Sequence, residues 1–243
     1  MELQDKVVLV TGGTSGIGLG IAQAFAAEGA RVAVAGSSAA KVKQAVDDRS
    51  GSNTLKGHPC DVTDRAQVAS LFAWLAQDVG SIDILVNSAG INVAKRMMAN
   101  VDPADFDRIM LVNTTGTFNC IHAALPTMRQ KGAGLIVNVG SVAGARVMPL
   151  AGMPYCVSKF ATGALGRFVN LEEAANGIKV TTIYPGETNT PLVDQRPEPP
   201  SAERRATMLQ PEDIAACVIM VAKLPPRAVV PELVITPPHM MLD

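Results

Sequence analysis

Val7-Val8-Leu9-Val10-Thr11-Gly12-Gly13-Thr14-Ser15-Gly16-Ile17-Gly18 is the stretch on which the reading of this chain turns. An apolar, β-branched run of strand length passes straight into a glycine cluster, and a segment with apolar residues at helical spacing (Ile17, Ile21, Ala24, Phe25) follows. Strand, tight turn and helix are therefore predicted in immediate succession. Glycines there let the backbone bend sharply and approach a pyrophosphate, while the free N–H groups and dipole of the helix N-terminus favour negative charge. The spacing is G-x-x-x-G-x-G rather than G-x-G-x-x-G, so by itself it fits an ordinary strand-to-helix turn as well as a nucleotide site.

The same alternation of short β-branched runs with longer segments of helical period continues along the chain, the pattern of a parallel sheet with crossover helices. Strands are predicted at Val7–Thr11, Arg31–Ala35, Thr54–His58, Ile82–Asn87, Leu135–Val139, Lys179–Tyr184 and Glu232–Thr236. Helices are predicted from Gly16, from Asp64 to Val79 with Asp64 and Gln67 as a capping pair, after Asp102 with Pro103 in the first turn, near Gly152, and from Pro211. No repeat or composition break divides residues 1–243, which read as one domain. The proline- and charge-rich stretch from Thr190 to Gln210 reads as a mobile loop within it.

The 243 residues are 48% hydrophobic and 18% charged, which excludes a disulfide-stapled miniprotein and global disorder. Lys+Arg 21 against Asp+Glu 22 leaves a formal charge of −1, so no basic field is present for nucleic acid or an anionic membrane, and neither is expected as a partner. Cys60, Cys120, Cys156 and Cys217 form no C-x-x-C pair, and His58, His122 and His239 show no metal-ligand spacing; reduced thiols and no metal are expected. Glu2 and Asp5 precede the first apolar run, which is neither a signal peptide nor a membrane span, so the expected location is the cytoplasm.

After the glycine turn, further motifs follow in order: Asp61-Val62, Asn87-Ser88-Ala89-Gly90, Asn113, Ser141, Tyr155-Cys156-Val157-Ser158-Lys159 and Pro185-Gly186. Over residues 6 to 192 the chain resembles the short-chain dehydrogenase/reductase family, with Ser88 where that family has the second Asn of N-N-A-G. The resemblance implies an α/β fold of the Rossmann type, a doubly wound parallel sheet of about seven strands flanked by helices. It also implies an NAD(P) site formed by Gly12, Thr14, Ser15, Gly16, Ile17, Gly18, Asp61, Val62, Asn87, Ala89, Gly90, Tyr155, Lys159, Pro185 and Gly186, with Thr188 and Thr190 as nearby hydroxyls. Substrate specificity is placed in a variable loop around residues 187–210 and in the C-terminus.

Tyr155 and Lys159, four apart on a predicted helix, share one face. An isolated pair of this kind is most often a surface contact. Chemically, a fixed ammonium close to a phenol would lower its pKa from about 10 toward useful acid/base catalysis. Ser141, at the carboxyl end of an apolar strand, can hold a substrate oxygen and stabilise its growing charge, or simply cap a turn. Tyr155 follows Ser141 by fourteen residues, one more than is usual in the family. Asn113 matches the family's helix Asn, whose carbonyl positions a water in the relay from Lys159; a structural amide is the alternative. Cys156 reads as packing, Trp74 as a core or subunit contact, His122 as a satisfied polar residue, and Met148, Leu150 and Met153 as pocket lining or gap filler.

An NAD site usually carries an Asp or Glu at the end of the second strand. Here that segment is Ala35-Gly36-Ser37-Ser38 and the next acid is Asp47. The gap favours NADP(H), held by Ser37, Ser38, the next helix N-terminus and Lys41, with NAD(H) possible. The resulting expectation is an oxidoreductase that moves a hydride reversibly between NADP(H) and a small alcohol/carbonyl substrate, built as a homotetramer or homodimer. A nucleotide-binding redox sensor without turnover is the alternative, and a sugar-nucleotide epimerase would need a larger C-terminal domain.

Overall fold

The structure, a computed structural model, describes residues 2–47 and 55–240. Its sheet has seven parallel strands: β1 (Val7–Thr11), β2 (Arg31–Gly36), β3 (Lys56–Pro59), β4 (Ile84–Asn87), β5 (Gly134–Val139), β6 (Ile178–Pro185) and β7 (Glu232–Ile235). Thr54, the start of the third predicted strand, lies outside the described residues. The spatial order β3-β2-β1-β4-β5-β6-β7 reverses direction between β1 and β4, the switch point at which open α/β sheets leave a crevice outside the carboxyl ends of their strands.

Helices α1 (Gly16–Ala27), α2 (Ala39–Asp47), α3 (Arg65–Asp78), α4 (Pro103–Met110), α5 (Gly116–Lys131), α6 (Met153–Glu173), α7 (Ala202–Ala206) and α8 (Pro211–Ala222) supply the crossovers and cover both faces. Because both faces are covered, β1 is buried along its whole length, which is why it reads as an unbroken apolar run. Val8 and Val10 pack with Ile21 and Phe25 of α1 and Ile214 and Val218 of α8. Val7 and Leu9 join Leu71 and Leu75 of α3 and Ile121 of α5. Trp74 lies at the edge of that second layer, its ring 5.0 Å from His58.

Asp64 caps α3 by accepting the N–H groups of Ala66 and Gln67. Gln67 does not return the bond to the Asp64 N–H; its Oε1 accepts from the Asp61 N–H instead, tying the cap to the Asp61 turn. A π-helical turn at Leu111–Thr115 joins α4 to α5, a feature the apolar period does not signal. The stretch from Thr190 to Gln210, expected to be a loop, is not without regular structure. That stretch contains a 3₁₀ turn (Pro191–Gln195) and α7, with Arg205 paired to Asp194 and both Arg196 and Arg204 paired to Glu187.

Candidate active site

β1 and β4 pair in register up to Thr11 and Asn87, so the loops that follow them begin side by side. Gly12 turns there with φ +64°, and a Cβ on it would stand 2.6 Å from the Ala89 nitrogen. Gly18 lets α1 close on that turn: its Cβ would lie 2.3 Å from the Gly12 carbonyl oxygen. α1 then opens with no side-chain cap from Ser15 and no acid in its first turn, leaving N–H groups for an anion. These features fit a dinucleotide pyrophosphate. The cleft runs from Thr14, Gly16 and Ile17 along Ser37, Ser38 and Lys41, past Asp61, Val62, Ala89 and Gly90, to Tyr155, Lys159 and Thr190.

Not every expected residue reaches this cleft. Asn87 is buried behind it and gives its Nδ2 to Asn138 Oδ1 on β5 at 3.0 Å, so it supports the cleft from the sheet rather than lining it. Pro185, Gly186 and Thr188 border a second pocket on the far side of Tyr155, with Ser141, Met148 and Leu150; Thr190 borders both. Met153 lies outside the lining of either. Ser38 spends part of its hydroxyl on the Lys41 N–H at 3.4 Å.

At the junction of the two pockets, Lys159 is buried and its Nζ donates to the Val139 carbonyl at 2.8 Å, 5.5 Å from the centre of the Tyr155 ring. Asn113 is locked: Oδ1 accepts from Ile91 N–H at 2.8 Å, and Nδ2 donates to Ile91 O and Ser158 Oγ. The π-helical turn frees its main-chain carbonyl from the regular ladder, and that oxygen accepts from the Thr117 and Thr162 hydroxyls. Gly90 completes the cluster, its Cβ position lying 3.5 Å from Asn113 Oδ1 and 3.6 Å from Lys159 Nζ. Ser141 accepts from the Ala143 N–H at 3.2 Å, capping a 3₁₀ turn, and its own O–H is engaged with the Tyr155 phenol oxygen.

The electrostatics correct one expectation. Tyr155 keeps part of its surface on the cleft, yet the protein around it desolvates the phenol and pushes it up to about 12, against a hydrogen bond with Ser141 that lowers it. Burial brings Lys159 down to about 8. Desolvation thus outweighs the Ser141 hydrogen bond, and Tyr155 stands as a neutral proton donor rather than a ready phenolate. Cys60 and Cys120, raised by burial to about 11 and about 12, are protonated packing thiols. Cys156 is likewise buried, its Sγ against the Met148 carbonyl.

Asn92 and Arg96 at the second pocket escaped the sequence reading, while Glu187, Arg196 and Met240 lie in the loop and C-terminus to which it assigned specificity without naming them. Each is brought in by contacts between segments distant in the chain. The Glu187 N–H donates to Met240 Sδ, and the Glu187 carboxylate takes Arg196 Nη1 at 3.0 Å and His239 Nε2 at 3.3 Å.

A doubly wound sheet with a phosphate-accepting glycine turn and a Tyr–Lys pair at the mouth of its crevice defines a dinucleotide-dependent oxidoreductase. The short chain dehydrogenase family matches residues 6–200, and the chain belongs to that family, whose members use NAD(P). It is 34% identical over 230 residues to a 3alpha-hydroxysteroid dehydrogenase of Mediterraneibacter gnavus, covering 91% of each chain. It is also 34% identical over 242 residues to a glycine betaine reductase of Emericella nidulans, matching 97% of this chain but only 19% of that protein's length. A closed serine dehydrogenase complexed with NADP+ superposes with a TM-score of 0.89 at 27% identity, over 97% of this chain and 96% of the other.

Proposed function

We propose that the chain moves a hydride reversibly between NADP(H) and an alcohol or carbonyl substrate, with Tyr155 exchanging the proton. The observation that carries this reading is that Tyr155 borders both the nucleotide cleft and the second pocket, with Ser141 on one side and Lys159 on the other. The bound nicotinamide supplies or accepts the hydride. With substrate in place, Ser141 turns its O–H from the Tyr155 oxygen to the substrate oxygen and steadies the charge that grows there. Tyr155, held protonated, gives its proton to that oxygen in the reductive direction. Lys159 holds positive charge beneath the ring and would hold the nicotinamide ribose, and Asn113, whose carbonyl is taken by the Thr117 and Thr162 hydroxyls, would join the relay behind it only if one of them gives way.

NADP(H) is the favoured nucleotide because Gly36, Ser37, Ser38 and Lys41 present hydroxyls and an ammonium, and no carboxylate, at the end of β2. The serine dehydrogenase that shares the fold was obtained with the same nucleotide. The test is spectrophotometric: both reduced nucleotides against a panel of aldehydes, ketones, diketones and oxo acids. Turnover supports the reading; tight nucleotide binding with no turnover on any carbonyl would make the protein a redox sensor instead.

The pH dependence follows from the two shifts. Reduction needs the Tyr155 proton, retained up to about 12, and the Lys159 charge, which is present below its pKa of about 8 and lost above it. The kcat/KM for carbonyl reduction is expected to be level below pH 8 and to fall above it. A rate–pH profile that stays level two units higher would remove Lys159 as the titrating group.

The chain acts as one domain, in the cytoplasm, as a homodimer or homotetramer. Val157, Phe160, Phe168 and Leu171 of α6 are exposed, Leu171 to 80%, as is Phe118 of α5, and a symmetry mate would cover them. Sedimentation at micromolar concentration should show a species well above the 25.4 kDa chain; a monomer alone would contradict this.

A further inference from the structure

Arg96 is a charged side chain only 5% exposed, and it lines the pocket that holds Ser141 and Tyr155. Among the described residues its donors reach two main-chain carbonyls, Leu150 O at 3.3 Å and Gln195 O at 2.8 Å, and no carboxylate; its Nε is buried without a partner. Burial, and after it the charge of Arg196, lowers the Arg96 guanidinium below its ordinary value. Its stem lies across Gly152, where a Cβ would come within 2.4 Å of Arg96 Cγ, and its carbonyl accepts the Met153 N–H.

Gly152 is the N-cap of α6, the helix that presents Tyr155 three residues later. A helix N-terminus disfavours a cation, and a buried guanidinium without an anion is costly. The one acid in the pocket wall, Glu187, does not offset it. Burial alone would push that carboxyl up, but hydrogen bonds from His239 and Arg196 and the charges of Arg196 and Arg204 hold it below its usual value, already committed to other cations.

We propose that the substrate carries a carboxylate and that Arg96 binds it, fixing the reacting carbonyl against Ser141 and Tyr155. The substrate class is then a hydroxy acid and its oxo acid. This rests on the hydride-transfer reading above. A planar guanidinium with free N–H groups matches a carboxylate in a two-point contact that a neutral ester cannot make.

The experiment compares 2-oxobutanoate and 3-oxobutanoate with their methyl esters, in the wild type and in Arg96→Gln and Arg96→Lys, with NADPH. For at least one acid, wild-type kcat/KM should exceed that of its ester by about tenfold to a hundredfold. Arg96→Gln should bring that ratio near unity, and Arg96→Lys should leave it intermediate. If Arg96 only clasps the Leu150 and Gln195 carbonyls, acid and ester will fall together and the unchanged ratio overturns the proposal. A thermal shift by malonate on the NADPH-loaded protein, present in the wild type and lost in Arg96→Gln, is the readout independent of turnover. Should Arg96→Gln fail to fold, the wild-type ratio and malonate shift decide alone. Neutral esters reduced as well as acids would overturn the carboxylate and leave hydride transfer standing. No reduction of any carbonyl despite bound NADPH would remove both.

Discussion

Tyr155→Phe is expected to lower kcat by about a hundredfold or more while leaving nucleotide affinity nearly unchanged. The ring fills the same space at the junction of the two pockets, so the cleft keeps its wall and Lys159 Nζ keeps its bond to the Val139 carbonyl. What disappears is the one O–H positioned to reach a substrate oxygen held by Ser141. Because that phenol stands near 12, the lost group is a proton source at every ordinary assay pH, and lowering the pH should not restore the rate. Fluorescence titration with NADPH separates binding from chemistry. A variant keeping more than about a tenth of wild-type kcat would take the proton-donor role away from Tyr155.

Gly36→Asp should reverse the nucleotide preference, with a swing of about a hundredfold in the NADPH-to-NADH ratio of kcat/KM. Two effects act together: a carboxylate repels the 2′-phosphate, and it accepts hydrogen bonds from the free ribose hydroxyls, each change involving a charged group. A Cβ on Gly36 would stand 3.0 Å from Thr14 Cγ2, so the Thr14 side chain must give way slightly, a cost common to both nucleotides. Direct titration with NADPH and NADH should show the same reversal in binding. A wild type tenfold better with NADH, or an unchanged preference in the variant, would show that the end of β2 does not read the ribose.

Most of the fold was legible because the central strands β1 and β4 carry apolar, β-branched runs between glycine and polar punctuation, whereas β3, Lys56–Pro59, does not. β1 matched the prediction at both ends, and β7 differed by one residue. The nucleotide cleft was legible for the same reason, since its turns directly follow strands. The second pocket was not. Arg96 meets the Gln195 carbonyl 99 residues away, and Glu187 meets Met240 across 53 residues, contacts that leave no periodic trace in either segment. Arginine is ordinarily a surface residue, so nothing local marks Arg96 as buried. The direction of the Tyr155 shift was misread because spacing reveals a neighbouring ammonium but not the loss of water around the ring.

The Glu187 hub gives the enzyme two parts that answer oppositely to ionic strength. The sheet and its flanking helices are held by apolar burial, which sulfate or phosphate strengthens by exclusion from the protein surface. The wall of the second pocket, from the 3₁₀ turn at Pro191–Gln195 through α7, is fastened by Arg196, Arg204 and Arg205 to Glu187 and Asp194, and Arg204 and Asp194 are open enough to solvent for counterions to screen them. Concentrated salt therefore firms the scaffold while it loosens the wall beside Ser141 and Tyr155.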